Sequence, residues 1–283
     1  MQAEHYLQEA LRLCDPQWEG EARHRHGTDC EVSASAYLAH AVWQLGDVER
    51  ARQLIDHAAS RAIELGHIPT LANAYAFKTL LGMFRSDAED TLRDAEVLVQ
   101  LAGKNGLAWF LDLATLMRGW ARGRLSDCDA GAAEMREALR KFAEQALRGW
   151  VPHSLGRLAQ LEAEGRDTER ALTHLDEALA LAQRTGEHWT DALLYRIRGE
   201  VLLQALAENP DPAEEAYRTA IAIAKEQGAR SYELLASLSL AKLYQSTDRT
   251  ADANAVLKPA LEGFSPTPEM PEIAEAQALV EQL

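Results

Sequence analysis

Cysteine is scarce in this 283-residue chain, which has only Cys14, Cys30 and Cys128. An odd number with no Cys-x-x-Cys spacing argues against a disulfide framework and against a cysteine zinc site, and it suits a reducing cytoplasm. Aromatic residues make up 6% of the chain. No stretch alternates apolar and polar residues with β-branched side chains, so no sheet is expected. No apolar run approaches the roughly 18 to 20 residues that span a bilayer. The opening MQAEHYLQEALRLCD has neither a basic n-region nor an unbroken apolar core, so it does not read as a signal peptide. Positive charge is in deficit: 29 Lys and Arg against 44 Asp and Glu give a net charge of −15. So acidic a surface repels nucleic-acid phosphates and anionic lipid, so neither nucleic acid nor membrane is an expected partner.

Catalytic signatures are missing too. There is no G-x-x-x-x-G-K-[ST] phosphate loop, no G-x-G-x-x-G, no G-x-S-x-G elbow and no H-E-x-x-H. Gly103-Lys104 is the nearest fragment of a phosphate loop, and it sits at a helix end. His24 and His26, with His5 upstream, alternate by two on a loop with no matching Cys or carboxylate cluster, so no metal site is expected there. Paired acids such as Glu214 and Glu215 fall on exposed helix faces and suggest no acid–base role. The chain is expected to be non-catalytic and to hold no cofactor.

Ala, Leu, Glu and Arg are plentiful, all good helix formers, and they recur in a repeat. Gly66, Gly106, Gly186 and Gly228 each follow an amphipathic segment, at spacings of 40, 80 and 42, and a weaker marker near Ala146 divides the double gap. Glycine just past such a segment takes the left-handed conformation that ends a helix. Between these stops lie polar turns: LGDVERA (45–51), RSDAEDT (85–91), RLSDCDA (124–130), EGRDTERA (164–171), NPDPAEEA (209–216) and TDRTADA (247–253). Each holds an Asp able to cap the following helix. The flanking segments have helical periodicity: Leu172, Leu175, Leu179 and Ala182 form one stripe, and Ala216, Ala220, Ile223 and Ala224 another.

The expected fold is all-α: an α-solenoid, a right-handed superhelix of about six helical hairpins with a period near 40 residues. The hairpins fall at about 28–66, 68–106, 107–146, 149–186, 188–228 and 230–263. One hairpin cannot bury both of its apolar faces, whereas a capped stack can. Residues 1–283 read as a single domain. Within it, 2–14 is a partial-repeat helix, 28–263 the six hairpins, and 272–283 a capping helix after Pro266, Pro268 and Pro271. Starting on half a repeat is expected of a piece of a longer protein; a natural N-terminal cap is the other reading.

The hairpins resemble tetratricopeptide repeats. Tyr195-x-x-Arg198-Gly199-x-x-Leu202 follows the family's aromatic-x-x-Leu-Gly-x-x-Tyr pattern, with Arg198 in place of Leu, and Ser237-x-x-Leu240-Ala241-x-x-Tyr244 follows it again. The period exceeds the usual 34, so longer helices are expected. Over nearly its whole length the chain is similar to the C-terminal repeat region of large bacterial signalling proteins. In those, an AAA-like ATPase precedes the repeats, and a class III adenylate/guanylate cyclase or a winged-helix DNA-binding domain precedes the ATPase. The runs that carry this are HGTDCEVSASAYLAHAVWQLGDVERA (26–51), LMRGWARGR (116–124), GEHWTDALLYRIRGEVLL (186–203), the segment 213–245, and AEAQALVEQL (274–283). The proline-rich segment after LKPALEGF (257–264) departs from the family's aromatic-rich one. The resemblance implies a regulatory sensor arm attached to upstream ATPase and output domains, with no catalytic residues of its own.

In such a fold the first helix of each hairpin lines a concave groove. Taking Ala39, Gly119, Gly156, Gly199 and Ala241 as equivalent positions places His40, Trp120, Arg157, Glu200 and Lys242 in it, with Trp43, His153 and Arg196 one turn away. A basic and aromatic strip in an acidic body suits an acidic or extended peptide. The expected function is a protein-interaction and regulatory module with a protein or peptide partner, or self-association into a homodimer. The alternative is a small-molecule sensor whose effector sits in the same groove.

Overall fold

A computed structural model of the chain describes residues 2–14, 27–143 and 150–283. Among these it has fourteen α-helices and no strand. They form two compact units, Met1–Ala146 and Leu147–Leu283. The expected single domain over 1–283 rests on the repeat pattern alone.

The first unit holds α1 (Gln2–Leu13), α2 (Cys30–Gln44), α3 (Val48–Leu65), α4 (Ile68–Phe84), α5 (Ala88–Asn105), α6 (Ala108–Leu125) and α7 (Cys128–Ala143). Pairs α2/α3, α4/α5 and α6/α7 are hairpins; α2 packs on α4 and α4 on α6, and α1 lies against α2. The second unit holds α8 (Val151–Glu164), α9 (Thr168–Thr185), a short 3₁₀ turn (His188–Thr190), α10 (Asp191–Ala205), α11 (Asp211–Gln227), α12 (Arg230–Ser246), α13 (Thr250–Leu261) and α14 (Glu272–Gln282). Its hairpins are α8/α9, α10/α11 and α12/α13, with α8 against α10, α10 against α12, and α14 on α12 and α13. The expected hairpins, the partial-repeat helix and the C-terminal capping helix are therefore present, each within its own unit. The marker near Ala146 lies outside the described residues.

The helix-end chemistry follows the repeat. Gly66, Gly106, Gly186 and Gly228 all sit at positive φ, between 61° and 75°. After three of them the next residue donates to the carbonyl five back: Leu107 to Ala102 at 3.0 Å, Glu187 to Ala182 at 3.2 Å and Ala229 to Ala224 at 2.8 Å. Such a bond satisfies an end carbonyl that the helix itself leaves open. Asp carboxylates cap four second helices, accepting from the amide of Arg50 (Asp47, 3.3 Å), Asp90 (Asp87, 2.9 Å), Ala130 (Asp127, 3.0 Å) and Arg170 (Asp167, 3.1 Å). Two expected Asp caps are replaced. Asn209 accepts from the amide of Asp211 at the head of α11, and α13 starts after Arg249 with no side-chain cap.

The turn inside each hairpin repeats a second left-handed position. Gly46 fills it in the first hairpin, while Ser86, Arg166 and Asp248 adopt it at φ of 55°, 67° and 58°. The residue after each donates to a carbonyl of the first helix: Asp47 to Val42, Asp87 to Gly82, Asp167 to Glu162 and Arg249 to Tyr244, all at 2.8–2.9 Å. This shared residue aligns the repeats. Counting seven back from it gives Ala39 (46−7), Thr79 (86−7), Ala159 (166−7) and Ala241 (248−7).

Ala159, and not Gly156, is thus the counterpart of Ala39, and the equivalence assumed from sequence slips by three residues in α8. The packing gives the reason. A Cβ on Gly199 would meet the Tyr217 ring of the same hairpin at 2.5 Å, whereas a Cβ on Gly156 would meet Leu194 of the next hairpin at 2.5 Å. The two glycines make room on different sides of their helices.

A side chain with a Cβ held at left-handed φ is strained by about 1–2 kcal/mol, partly offset by the greater chain entropy glycine loses on folding. Arg166→Gly is expected to raise stability by about 1 kcal/mol, read as an upward shift of the thermal or urea unfolding midpoint. An unchanged or lower midpoint would show that the turn carries no such strain.

Candidate functional site

The groove candidates separate into core residues, one surface residue and a polar cluster. In the first unit His40, Trp43 and Trp120 are all buried, at 6%, 1% and 0% exposure. The His40 Nε2–H donates to the carbonyl of Phe77 at 2.9 Å, and the imidazole packs against the Phe77 and Phe84 rings at 4.9 Å. Trp43 lies 5.3 Å from Phe84. These three are core, so their assignment to a groove is corrected. A first helix is covered both by its own second helix and by the neighbouring first helix, which closes over the positions the sequence reading left open.

Burial pushes the His40 imidazole down to about 4, against the raising effect of its bond to the Phe77 carbonyl. The unfolded chain then takes up this proton more readily than the folded one. His40 therefore contributes stability that is complete above about pH 6.5 and is lost as pH falls toward 4. The difference amounts to as much as about 3 kcal/mol. Unfolding free energies measured across this range should fall more steeply in the wild type than in His40→Gln, whose side chain does not titrate. Parallel curves would mean the imidazole is not held neutral.

In the second unit the candidates diverge. Lys242 is half exposed and pairs with Glu275 of α14 at 2.7 Å. His153 is buried and stacks on Trp189 at 5.8 Å, with Trp150 edge-on to the same indole at 5.5 Å. Arg157, Arg196 and Glu200 lie on the adjoining first helices α8 and α10, where Arg196 pairs with Glu200 and the charges act on two tyrosines. Arg157 on α8 is 1% exposed and donates to Gln160 at 3.2 Å. Arg196 on α10 has a side chain 12% exposed and pairs with Glu200 one turn on. Tyr232 on α12 is 1% exposed. Burial raises its hydroxyl pKa while the Arg157 and Arg196 guanidiniums oppose the rise. Tyr217 on α11 is raised by burial and by Glu200, and lowered by Arg196.

The charges of Arg157 and Arg196 act on Tyr232, those of Glu200 and Arg196 act on Tyr217, and Arg196 and Glu200 are paired. The Arg196 Nε–H is shut from solvent and has no acceptor among the described residues. Leaving such a donor unmet costs about 1–3 kcal/mol, and an acceptor oxygen would recover it. Tyr217, Tyr232 and Gln160 escape sequence reasoning because the tyrosines occupy apolar-stripe positions and read as core. Guanidiniums in neighbouring helices are the only signal that would have marked them.

A second feature lies on α9, α10 and α11: an open cleft of about 560 Å³ lined by Asp176, Tyr195, Arg198, Leu202 and Glu215 among others. Arg198, which replaces the repeat pattern's Leu, pairs across it with Asp176. His24 and His26 lie outside the described residues. Among those described, no group of three or more His, Cys, Asp and Glu could hold a metal ion, and no helix is long and apolar enough to cross a membrane. No protein-family model matches the chain, and no curated protein matches it.

Proposed function

We propose that this chain is a non-catalytic interaction and regulatory module, the sensor arm of a larger cytoplasmic signalling protein. In this reading the second unit receives an acidic group of a protein or peptide partner at Arg196. The observation that carries the reading is the buried Arg196 Nε–H, which has no acceptor among the described residues. A carboxylate or phosphate oxygen supplies the acceptor, and a charge-assisted bond in a poorly solvated site is strong. Rigid helices on either side hold the donors in place, which favours recognition over chemistry. The attachment to upstream ATPase and cyclase or winged-helix domains rests on the sequence resemblance. Residues encoded upstream that contain a Walker phosphate loop would support it.

The depth of the site favours one second reading, a small anionic effector. Only a slender group reaches an arginine whose side chain is 12% exposed. Binding of an oligo-glutamate peptide and of citrate, each followed by calorimetry, tells the two readings apart. Arg196→Gln is expected to weaken the ligand that binds by about 10- to 100-fold, the worth of one charged hydrogen bond. Lys242→Gln, at the exposed pair with Glu275, should leave it unchanged. Equal affinities for wild type and Arg196→Gln, in a variant with unaltered circular dichroism, would remove the site from consideration.

A further inference from the structure

The cleft on α9, α10 and α11 begins with a departure from the repeat. On α12 the pattern reads Ser237-x-x-Leu240-Ala241-x-x-Tyr244, and both Leu240 and Tyr244 are buried. The same steps on α10 read Tyr195-x-x-Arg198-Gly199-x-x-Leu202. Sealing a guanidinium into an apolar seam carries a large desolvation cost. Arg198 instead stays partly exposed and pairs with the carboxylate of Asp176 on α9. Tyr195 and Leu202 are left half-covered. Both α9 and α11 pack on α10, and the three helices line the open cleft of about 560 Å³.

The lining is amphipathic. Leu179, Leu202 and Tyr195 supply apolar and aromatic surface, while Asp176, Glu215 and Arg198 supply charge. Arg198 and Asp176 neutralise one another. The Glu215 carboxylate is exposed and makes no ion pair among the described residues. The cleft therefore keeps one net negative charge, in a chain of net −15. Arg198 and Arg196 are two residues apart, which turns their side chains about 200° from each other around the helix. The cleft thus lies on another side of α10 from Arg196.

We propose that this cleft is a docking site for a lysine side chain on a basic segment of a partner protein. The flexible four-carbon stem lies along Leu179 and Leu202, and the ammonium reaches the Glu215 carboxylate with the Tyr195 ring beside it. A cation gains from both the carboxylate and the face of the phenol ring. An anionic guest meets Glu215 and an arginine already paired, and an apolar guest strips water from three charged groups with nothing in return. The volume falls in the range of ligand clefts and exceeds one lysine side chain, so the neighbouring peptide backbone has room as well. The acidic body draws a basic segment in, and exposed pairs hold it loosely, which suits a readily reversible contact. The site does not depend on acid recognition at Arg196.

Titrating the full chain with acetyl-Ala-Lys-Leu-Lys-Ala-amide, followed by two-dimensional amide NMR, tests the assignment. Shifts are expected to gather around Leu179, Tyr195 and Thr219. Replacing the peptide's lysines by diaminobutyric acid keeps the charge, shortens each stem by two methylenes and should weaken binding by about 5- to 10-fold. Glu215→Lys should weaken it by about 10-fold, by turning attraction into repulsion. Thr219→Trp puts an indole into the cleft without changing charge and should abolish binding. Glu49→Lys makes the same charge change on α3 of the first unit and should leave binding unchanged, as should Arg196→Gln. Circular dichroism checks the fold of each variant, and the contrast between Glu215→Lys and Glu49→Lys decides the matter if Thr219→Trp does not fold. Shifts that gather elsewhere, equal weakening by both lysine substitutions, equal affinity for the short-stem peptide, or binding of spermidine without binding of the peptide would each overturn the proposal.

Discussion

A helical hairpin exposes more apolar surface than its two helices can cover for one another. Everything else in this structure depends on that constraint. Each first helix must be sealed on one side by its own second helix and on another by the first helix of the next hairpin. That is why α4, α8 and α12 are buried along most of their length, while α3, α5 and α9 keep an outer polar face. The sealing demands small residues at the crossings. A Cβ on Gly131 would lie 2.5 Å from the Cα of Gly123, so α6 and α7 approach to a distance that only glycine allows. It also demands sharp, satisfied turns, and the left-handed residue followed by an amide donating five back supplies them within hairpins as well as between them.

Local rules of this kind are legible in a sequence. The Gly stops, the Asp caps and the apolar stripes are decided within five residues of where they are read, so most hairpin boundaries among the described residues emerge within one or two residues of the structure. The failures are just as local in origin. Asp211 and Asp248 looked like the other capping aspartates, yet Pro212 and the left-handed φ of Asp248 place them in the first turn of α11 and in the turn itself.

What a sequence does not carry is which neighbour a small residue faces. Gly156 and Gly199 are the same letter, but one admits Leu194 from the next hairpin and the other admits Tyr217 from its own. Assuming them equivalent moved the inferred groove by most of a helical turn in α8. The same ambiguity misplaced His40, Trp43 and Trp120. Such residues read as binding groups on a one-sided helix and as core on a helix covered from two sides. Through-space neighbours with no spacing rule, such as Arg52 with Asp90 or Arg249 with Glu214, lie beyond any reading of the chain alone.

The two units solve the same packing problem with different interiors. Between the first helices of unit one lie His40, Phe77, Phe84 and Trp43, a set whose one titratable member is held neutral by its surroundings. Such an interior gains by exclusion of water and dispersion contact, and it has no use for a ligand. The corresponding helices of unit two enclose two guanidiniums, a carboxylate and a phenol. Burying ionic groups costs more stability than apolar groups of the same size would, so their presence calls for a reason other than folding. A charged interior reachable at Arg196 and a closed aromatic one are two states of one scaffold. In the first the Arg196 Nε–H has no acceptor among the described residues.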